Sequence, residues 1–226
     1  VASGGGAVSI TGDGEDFGVV LDGSDVDSGA GDITIRGDAV FGISAIGVSA
    51  DDTNLLTSSG DILVTGVGNS VGLQLRGGEV ATGSGHIDLR GRGTMGGAGT
   101  GLEIGQGVRI ATDNGGIELS GTGNRAGGVV IRAGSSIDAG DSLLVLRADS
   151  GPGDAVDIQG SIHSSVGVNL RPGGVDANGG LTEATSDRIV LGSNVGQIGD
   201  SAFFLSNAEL ALIDTPELII GSNLHA

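Results

Sequence analysis

The chain repeats two short phrases along its length, and this repeat limits the folds it can adopt more than any other feature. The first phrase is Gly-Asp-Ile-Thr-Ile at Gly31–Ile35, and it returns at Gly60–Val64, Gly85–Leu89, Gly115–Leu119 and, more loosely, Asp141–Leu146. The second phrase lies between these copies, at Val71–Leu75, Thr100–Ile104, Gly127–Ile131 and Asp154–Ile158. Self-similarity at a period of a few tens of residues indicates a solenoid.

The repeat has an irregular period and three apolar segments per unit. The first apolar position of the first phrase recurs every 21 to 30 residues, at Val8, Ile33, Ile62, Ile87, Ile117, Leu144, Val168 and Ile189. The second phrase keeps the same period at Gly18, Gly47, Gly72, Gly101, Gly128 and Ala155. A third apolar segment follows at Val26, Val80, Ile110, Ile137 and Ile162.

Within each segment apolar and polar residues alternate, as in Ile87-Asp88-Leu89, which is the pattern of a β-strand with one buried side. Strands this short are stable only when stacked on equivalent strands of the next unit. The sequence therefore predicts an all-β fold, a parallel β-helix of about eight coils with three short strands per coil. At roughly 4.8 Å between adjacent strands, the rod would be on the order of 40 Å long.

Two other repeat folds fit less well. A leucine-rich repeat has a similar period but needs a helical segment and an asparagine ladder in each unit, which this sequence lacks. A β-propeller blade needs about 40 residues and usually a Trp signature. The chain has no Trp, so we favour the β-helix.

Composition restricts the partners of such a rod. The net charge is −18, with ten Arg and no Lys, and so acidic a surface repels nucleic acid and anionic lipid. No stretch approaches 18 apolar residues, so we expect no membrane insertion. There is no Cys, and the aromatic residues are just Phe17, Phe41, Phe203 and Phe204, which argues against a sugar-stacking groove.

Two candidate ligand sites are better explained by the repeat. Gly91–Gly96 matches a dinucleotide-binding fingerprint, but Gly97–Gly101 follows it and cannot begin the helix that would hold a pyrophosphate. Asp13–Asp16 and Asp22–Asp27 are Asp-rich turns that could bind calcium. Because their Asp positions do not recur at a fixed place in the coil, we expect no metal or cofactor there.

The titratable residues give no catalytic assignment. Asp88, Glu118 and Asp157 are the outward members of alternating strands, so a stacked sheet could bring them together as glycosidases and lyases require. Solvation explains their outward position equally well. His86, His163 and His225 have no partner at metal-ligand spacing. We therefore predict no catalytic, cofactor-binding or metal residues and leave ligand-binding residues unassigned.

The repeat loosens after about residue 172. Arg171–Gly180 is predicted to be a loop and Asp187–Gly192 a strand, and Ser206 with Glu209 has the spacing of a capping box. We predict a short helix at 206–213 and a last strand at Glu217–Ile220, which gives a shaft at 1–200 and a segment at 201–226 that continues or covers its end. Because both chain ends fall within repeat-like phrases, we expect a fragment of a longer protein.

The repeats resemble those of the large filamentous-haemagglutinin-like exoproteins of Gram-negative bacteria. The resemblance rests on Gly-x-Ile-x-Leu-x-Gly-x-Gly followed by Gly-Leu-x-Ile, and on Leu191–Gly196, Phe204–Leu210 and Leu218–Gly221. It covers about Gly6 to Gly221. It implies a right-handed β-helix shaft, exported by a two-partner or autotransporter-type route and displayed at the cell surface, and it assigns no functional residues.

These observations predict a non-catalytic extracellular shaft of a surface adhesin that spaces binding regions or joins cells in biofilm. Its expected partners are neighbouring coils of the parent chain, with other copies end to end and surface glycans or proteins as further options. A carbohydrate-active β-helix, such as a polysaccharide lyase or tailspike segment, stays open. So does a self-assembling filament subunit, because unpaired strand edges invite addition.

Overall fold

The chain folds as a parallel β-helix of about six turns, which confirms the predicted fold class. The computed structural model describes residues 1–94, 99–124, 126–151, 154–183, 188–192 and 202–221. Each turn places strands on three sides of the rod, here named faces 1, 2 and 3 in the order in which the chain visits them. Every contact between successive turns on these faces is a parallel ladder.

Face 1 is built from the first phrase and is the longest ladder. Its strands are β1 (Val8–Asp13), β4 (Ile33–Ala39), β6 (Ile62–Gly68), β8 (Ile87–Gly93), β11 (Ile117–Thr122), β14 (Leu143–Asp149), β17 (Gly167–Val175) and β22 (Leu218–Ile220). The first apolar residues pair in one unbroken column, from Val8 through Ile33, Ile62, Ile87, Ile117, Leu144 and Val168 to Leu218.

Faces 2 and 3 are built from the second phrase and the third apolar segment. Face 2 contains β2 (Phe17–Asp22), β5 (Ile46–Thr57), β7 (Val71–Thr82), β9 (Thr100–Ile104), β12 (Val129–Ile131) and β15 (Val156–Ile158). Strands β5 and β7 continue round the corner onto face 3, which also contains β3 (Asp25–Asp27), β10 (Arg109–Thr112), β13 (Ser136–Asp138), β16 (Ser161–His163) and β21 (Ile213–Asp214).

The end of the rod differs from the prediction in three ways. Ile189 does not continue the face 1 column, because β19 (Arg188–Leu191) pairs with β20 (Ala202–Leu205) in a separate two-stranded sheet. Leu218 takes the eighth place in that column instead. Because no strand of face 2 follows β17 among the described residues, the rod has about six turns that include all three faces, rather than eight. The segment from Arg171 to Val175 is not a loop, since β17 extends through it and then pairs antiparallel with β18 (Leu181–Glu183).

The core is a stack of aliphatic side chains. Ile, Leu and Val from all three faces point inward and form one continuous cluster along the rod. Ile87 and Leu89 are fully buried, as are their counterparts in the turns on either side. Because each layer is covered only by the layers before and after it, the stability of one turn depends on both neighbours.

Glycines allow faces 1 and 2 to meet at a sharp corner. A Cβ atom added at Gly37, Gly66, Gly91 or Gly121 would overlap the carbonyl oxygen of the second-phrase glycine of the same turn. In the sixth turn both positions are alanine, and Ala148 and Ala155 are buried. The glycines of the repeat therefore permit backbone to pack directly on backbone.

Hydroxyl side chains order the corner between faces 3 and 1. The side chains of Thr57, Thr82, Thr112 and Ser164 each accept a hydrogen bond from the backbone amide of the glycine three residues later, at 2.9–3.0 Å. These residues are buried, so each hydroxyl satisfies a backbone donor that water does not reach.

A short helix lies beside the C-terminal end of face 2. Helix α1 (Asn207–Leu210) has the predicted capping box of Ser206 and Glu209, although it ends three residues earlier than predicted. Glu209 Oε1 also accepts the backbone amide of Ile158 on β15, at 3.0 Å. Phe203 and Leu205 of β20 are fully buried against the core. No helix in the described part of the chain is long and apolar enough to cross a membrane.

Candidate functional site

The outer side of face 1 carries a group of charged side chains that contact one another. Outward residues of successive strands are in register, so they form columns along the rod. The column three residues after each anchor contains Thr11, Arg36, Thr65, Arg90, Ser120, Arg147 and Arg171. Adjacent members are roughly 4.8 Å apart along the backbone, which places four arginines in one row.

Two of the predicted carboxylates meet on this face. Asp88 and Glu118 are registered neighbours on β8 and β11, and His86 lies just before β8. One ligand atom from each of these three residues lies within 4.8 Å of the other two. Asp157 is not part of the group, because it lies on face 2, where Gln159 donates to it.

Arginines neutralise both carboxylates. Arg90 Nε donates to the two carboxylate oxygens of Asp88 at 2.9 and 3.0 Å, and its Nη2 also pairs with Asp88. Arg147 donates to Glu118 and to Glu183. The side chains of Arg147 and Glu118 are 11% and 15% exposed, so this pair is largely shielded from water. The hydrogen bond with Asp88 raises the pKa of Arg90 above its ordinary value.

A hairpin crosses the outside of face 1. It consists of Gly173–Val175, a turn at 176–180, and Leu181–Glu183. Three arginines of the face donate to its backbone: Arg92 to the carbonyl oxygen of Val175 at 2.8 Å, Arg36 to that of Asn178 at 2.8 Å, and Arg90 to that of Gly179 at 3.2 Å. The hairpin thus reaches from the seventh strand of the face back to the second.

The turn of the hairpin is held by one carboxylate. Asp176 Oδ1 accepts the backbone amides of Gly180 and Asn178, at 2.8 and 2.7 Å. The Gly180 and Asn178 hydrogen bonds, with a smaller contribution from the charge of Arg92, hold the pKa of Asp176 below its ordinary value of 3.8. The turn therefore depends on ionised Asp176.

Asp88 and Glu118 form an ion-pair network with Arg90 and Arg147 on face 1. His86 with two carboxylates is a donor set that could bind Zn²⁺. However, both carboxylates already receive guanidinium donors, and a dication would have to approach these positive charges. The same contacts occupy the carboxylate oxygens that would otherwise be free to act on a substrate.

The other candidate residues lie apart from this group. In the Asp-rich turns, Asp25 accepts a hydrogen bond from Asn54, and Asp27 accepts the backbone amide of Gly29. Neither turn holds three metal-ligating groups close together in the described part of the chain. His163 pairs with Asp214 across β16 and β21 at 3.0 Å, and His225 lies outside the described residues.

The dinucleotide-like glycines are structural. Gly91 and Gly93 lie within β8, where added Cβ atoms would contact the backbone of the 99–101 segment. Gly96 lies outside the described residues, and the chain re-enters the described structure directly before β9. The next described element is the strand β9, and the described residues on either side of positions 95–98 contain no helix that could hold a phosphate.

A shallow depression lies on face 3. Its volume is about 240 Å³, and it is lined by Leu56, Ala81, Ala111, Arg109 and Asp113, together with three threonines and Gly83. Sites for small-molecule ligands usually measure about 300–1,000 Å³ and enclose most of the ligand. The depression is smaller than this range, so it does not define a site for a small molecule.

Sequence reasoning missed two features that the repeat contains. The four arginines of the row each follow an anchor residue by three positions, so counting from Ile33, Ile87, Leu144 and Val168 would have found them. The hydroxyl three residues before the first-phrase glycine was also visible, at Ser28, Thr57, Thr82 and Thr112. By contrast, nothing local in the sequence indicates that the hairpin docks on face 1.

The geometry defines a class, a parallel β-helix with an ion-paired and hairpin-covered outer face. No protein-family model matches the chain, and no curated protein or solved structure is significantly similar to it.

Proposed function

We propose that the chain is a non-catalytic shaft segment of a secreted bacterial surface adhesin. The observation that carries this proposal is the unbroken register of face 1, in which eight strands align one column of aliphatic residues from Val8 to Leu218. Bending such a rod would separate layers that bury their side chains only against each other. A stiff spacer is the use that fits this property best.

The ion pairs on face 1 and the hairpin that covers it support the same proposal. Asp88 and Glu118 are each held by an arginine, and the hairpin lies across the same face. A glycoside-cleaving pair needs one carboxyl group with a raised pKa and room for a sugar between the two groups. Here both carboxylates bind guanidinium groups, and the hairpin occupies part of the space above them.

A carbohydrate-active β-helix is the second candidate. One oxygen of Asp88 lies within 4.8 Å of one oxygen of Glu118, close to the carboxyl separation of about 5–5.5 Å in retaining glycosidases. Arginines flank this pair on the same face, as a site for an acidic polysaccharide would require. This candidate predicts that displacing the hairpin would expose a groove.

One experiment separates the two candidates. The purified chain is incubated with a panel of neutral and acidic polysaccharides, and both cleavage products and retention on the immobilised polymer are measured. The shaft proposal predicts no cleavage by the chain or by Glu118→Gln, and rods of uniform width in electron microscopy. Cleavage that is lost in Glu118→Gln but kept in Glu79→Gln, a charge-matched change on face 3, would overturn the shaft proposal in favour of the enzyme.

A further inference from the structure

One arginine of the row on face 1 has no direct ion pair. Arg171 follows Arg147 in register on the next strand, and no hydrogen bond or ion pair to Arg171 is found among the described residues. Its Nε atom is buried without a partner. Burial, together with the neighbouring charge of Arg147, lowers the pKa of Arg171. The charges of Glu183 and Glu118 act in the opposite direction and raise this pKa, but both carboxylates bond to Arg147 and neither bonds directly to Arg171.

Two other polar groups without partners lie on the same face as this arginine, on its own strand and two strands away. Ser120 is fully buried and Asn169 is 4% exposed, and the hydroxyl of the first and the amide oxygen of the second have no hydrogen-bond partner. Both lie on the outer side of face 1, since their sequence neighbours point into the core. Ser120, Arg147 and Arg171 occupy the same column on three successive strands, and Asn169 precedes Arg171 by two residues.

Unsatisfied polar atoms of this kind are concentrated on one face. In the described part of the chain, the four buried side-chain atoms that lack a partner belong to Arg92, Ser120, Asn169 and Arg171, all on face 1. Buried polar groups normally have partners, so an exception needs an explanation. A water molecule could satisfy the hydroxyl of Ser120, whereas the guanidinium group of Arg171 has the geometry to hold two oxygens of one anion.

We propose that Arg171, Ser120 and Asn169 form a binding site for one oxyanion group, such as a carboxylate or sulfate carried by a larger ligand. The guanidinium fork suits two oxygens of one planar or tetrahedral anion, and a hydroxyl and a side-chain amide supply further donors. The amide orientation of Asn169 can be reversed to present its NH₂ group, because O and N are assigned from the hydrogen-bond network. Arg147 is already paired with Glu118 and Glu183 and contributes its charge from the neighbouring strand.

The site does not depend on the proposed shaft function, because an oxyanion site can serve either a spacer or an enzyme. The nearby acidic residues do not exclude an anion, since the carboxylates of Glu118 and Glu183 are held by Arg147. Sulfate and carboxylate share the required chemistry, so separate titrations must distinguish them.

The test titrates the full chain with sodium sulfate, inorganic phosphate or sodium acetate, with chloride replaced to keep ionic strength constant. NMR follows the side-chain Nε–Hε resonance of Arg171. We expect a saturable shift with at least one of the three anions. Because a hydrogen bond to a charged group contributes about 1.5–3 kcal/mol, Arg171→Gln should weaken binding by about tenfold or more, measured by calorimetry.

Two further variants make the result decisive. Arg109→Gln removes an exposed arginine on face 3 and should leave anion binding unchanged. Ser120→Ala should weaken binding several-fold without loss of stability, because it removes a hydroxyl that has no partner in the unliganded chain. The proposal is overturned if none of the three anions shifts the Arg171 resonance saturably, or if Arg171→Gln and Arg109→Gln bind equally well.

Discussion

The corner between faces 1 and 2 gives the most specific prediction about how this rod is held together. Gly66 lies within β6 on face 1, at the point where Gly72 of β7 on face 2 approaches it closely. A Cβ atom at Gly66 would overlap the carbonyl oxygen of Gly72, lie 2.7 Å from its carbonyl carbon and 3.0 Å from the amide nitrogen of Val48. All three atoms belong to backbone that is fixed by ladders to neighbouring turns, so Gly66→Ala must force two strands apart.

The expected cost follows from this geometry. Inserting a methyl group into a well-packed interior costs about 1–3 kcal/mol, and a clash with backbone on two faces belongs at the upper end. For a chain of this size, 1 kcal/mol corresponds to about 2–4 °C in Tm, so Gly66→Ala should lower Tm by about 6–12 °C. Circular dichroism during thermal unfolding measures the change, and urea titration gives the corresponding loss of free energy of unfolding.

A second glycine supplies the matched control. Gly167 is also buried on face 1 and does not have a positive φ, but a Cβ atom there would lie 3.4 Å or more from its nearest neighbours. Gly167→Ala should leave Tm within about 2 °C or raise it slightly, because alanine has less conformational freedom to lose. If Gly66→Ala and Gly167→Ala are equally stable, the corner does not require glycine and our account of the repeat is wrong.

Three other changes test the charged face, the hydroxyl corner and the hairpin. Glu118→Gln leaves the shielded Arg147 with a single partner and should cost about 1–3 kcal/mol in urea unfolding, whereas Glu79→Gln breaks an exposed pair and should cost less than about 1 kcal/mol. Thr82→Val removes the acceptor of a buried amide and should cost about 1–3 kcal/mol, and Thr82→Ser should restore most of the loss. Asp176 has a pKa below 3.8 in the folded chain, so its contribution is complete above pH 3.8 and is lost as the pH falls through the lower folded value. Hydrogen exchange in the hairpin should accelerate in that acid range, and Asp176→Asn should remove this pH dependence.

The periodicity of the sequence was enough to predict the fold and most of its register. The alternation at Ile87-Asp88-Leu89 recurs at Ile117-Glu118-Leu119, and the structure pairs these residues one to one. Periodicity failed at Ile189, where a short apolar run that ends before Gly192 forms a local pair with β20. Ile, Val and Leu favour strands both in the shaft and in a small separate sheet. The local sequence alone therefore cannot distinguish the two.

Part of the charged face was also predictable from the periodicity of the sequence. Asp88 and Glu118 each follow an anchor by one residue, so their meeting follows from register. The hairpin is a different case, since Arg36 and the carbonyl oxygen of Asn178 are 142 residues apart in sequence. A backbone carbonyl is available at every residue and carries no sequence signature. Such contacts become visible only when the path of the chain outside the repeat is known.

The distribution of arginine separates face 1 from the rest of the rod. Five of the ten arginines lie on its outer side, although the chain as a whole has a net charge of −18. Arginines that served only to reduce repulsion between acidic turns would be spread over all three faces. Instead, Arg36, Arg90 and Arg92 bind the hairpin, Arg147 binds two carboxylates, and Arg171 has no direct ion pair in the described structure. Face 1 therefore contains both the arginine contacts that hold the hairpin and an arginine without a direct partner, and any recognition by the shaft itself should be sought there.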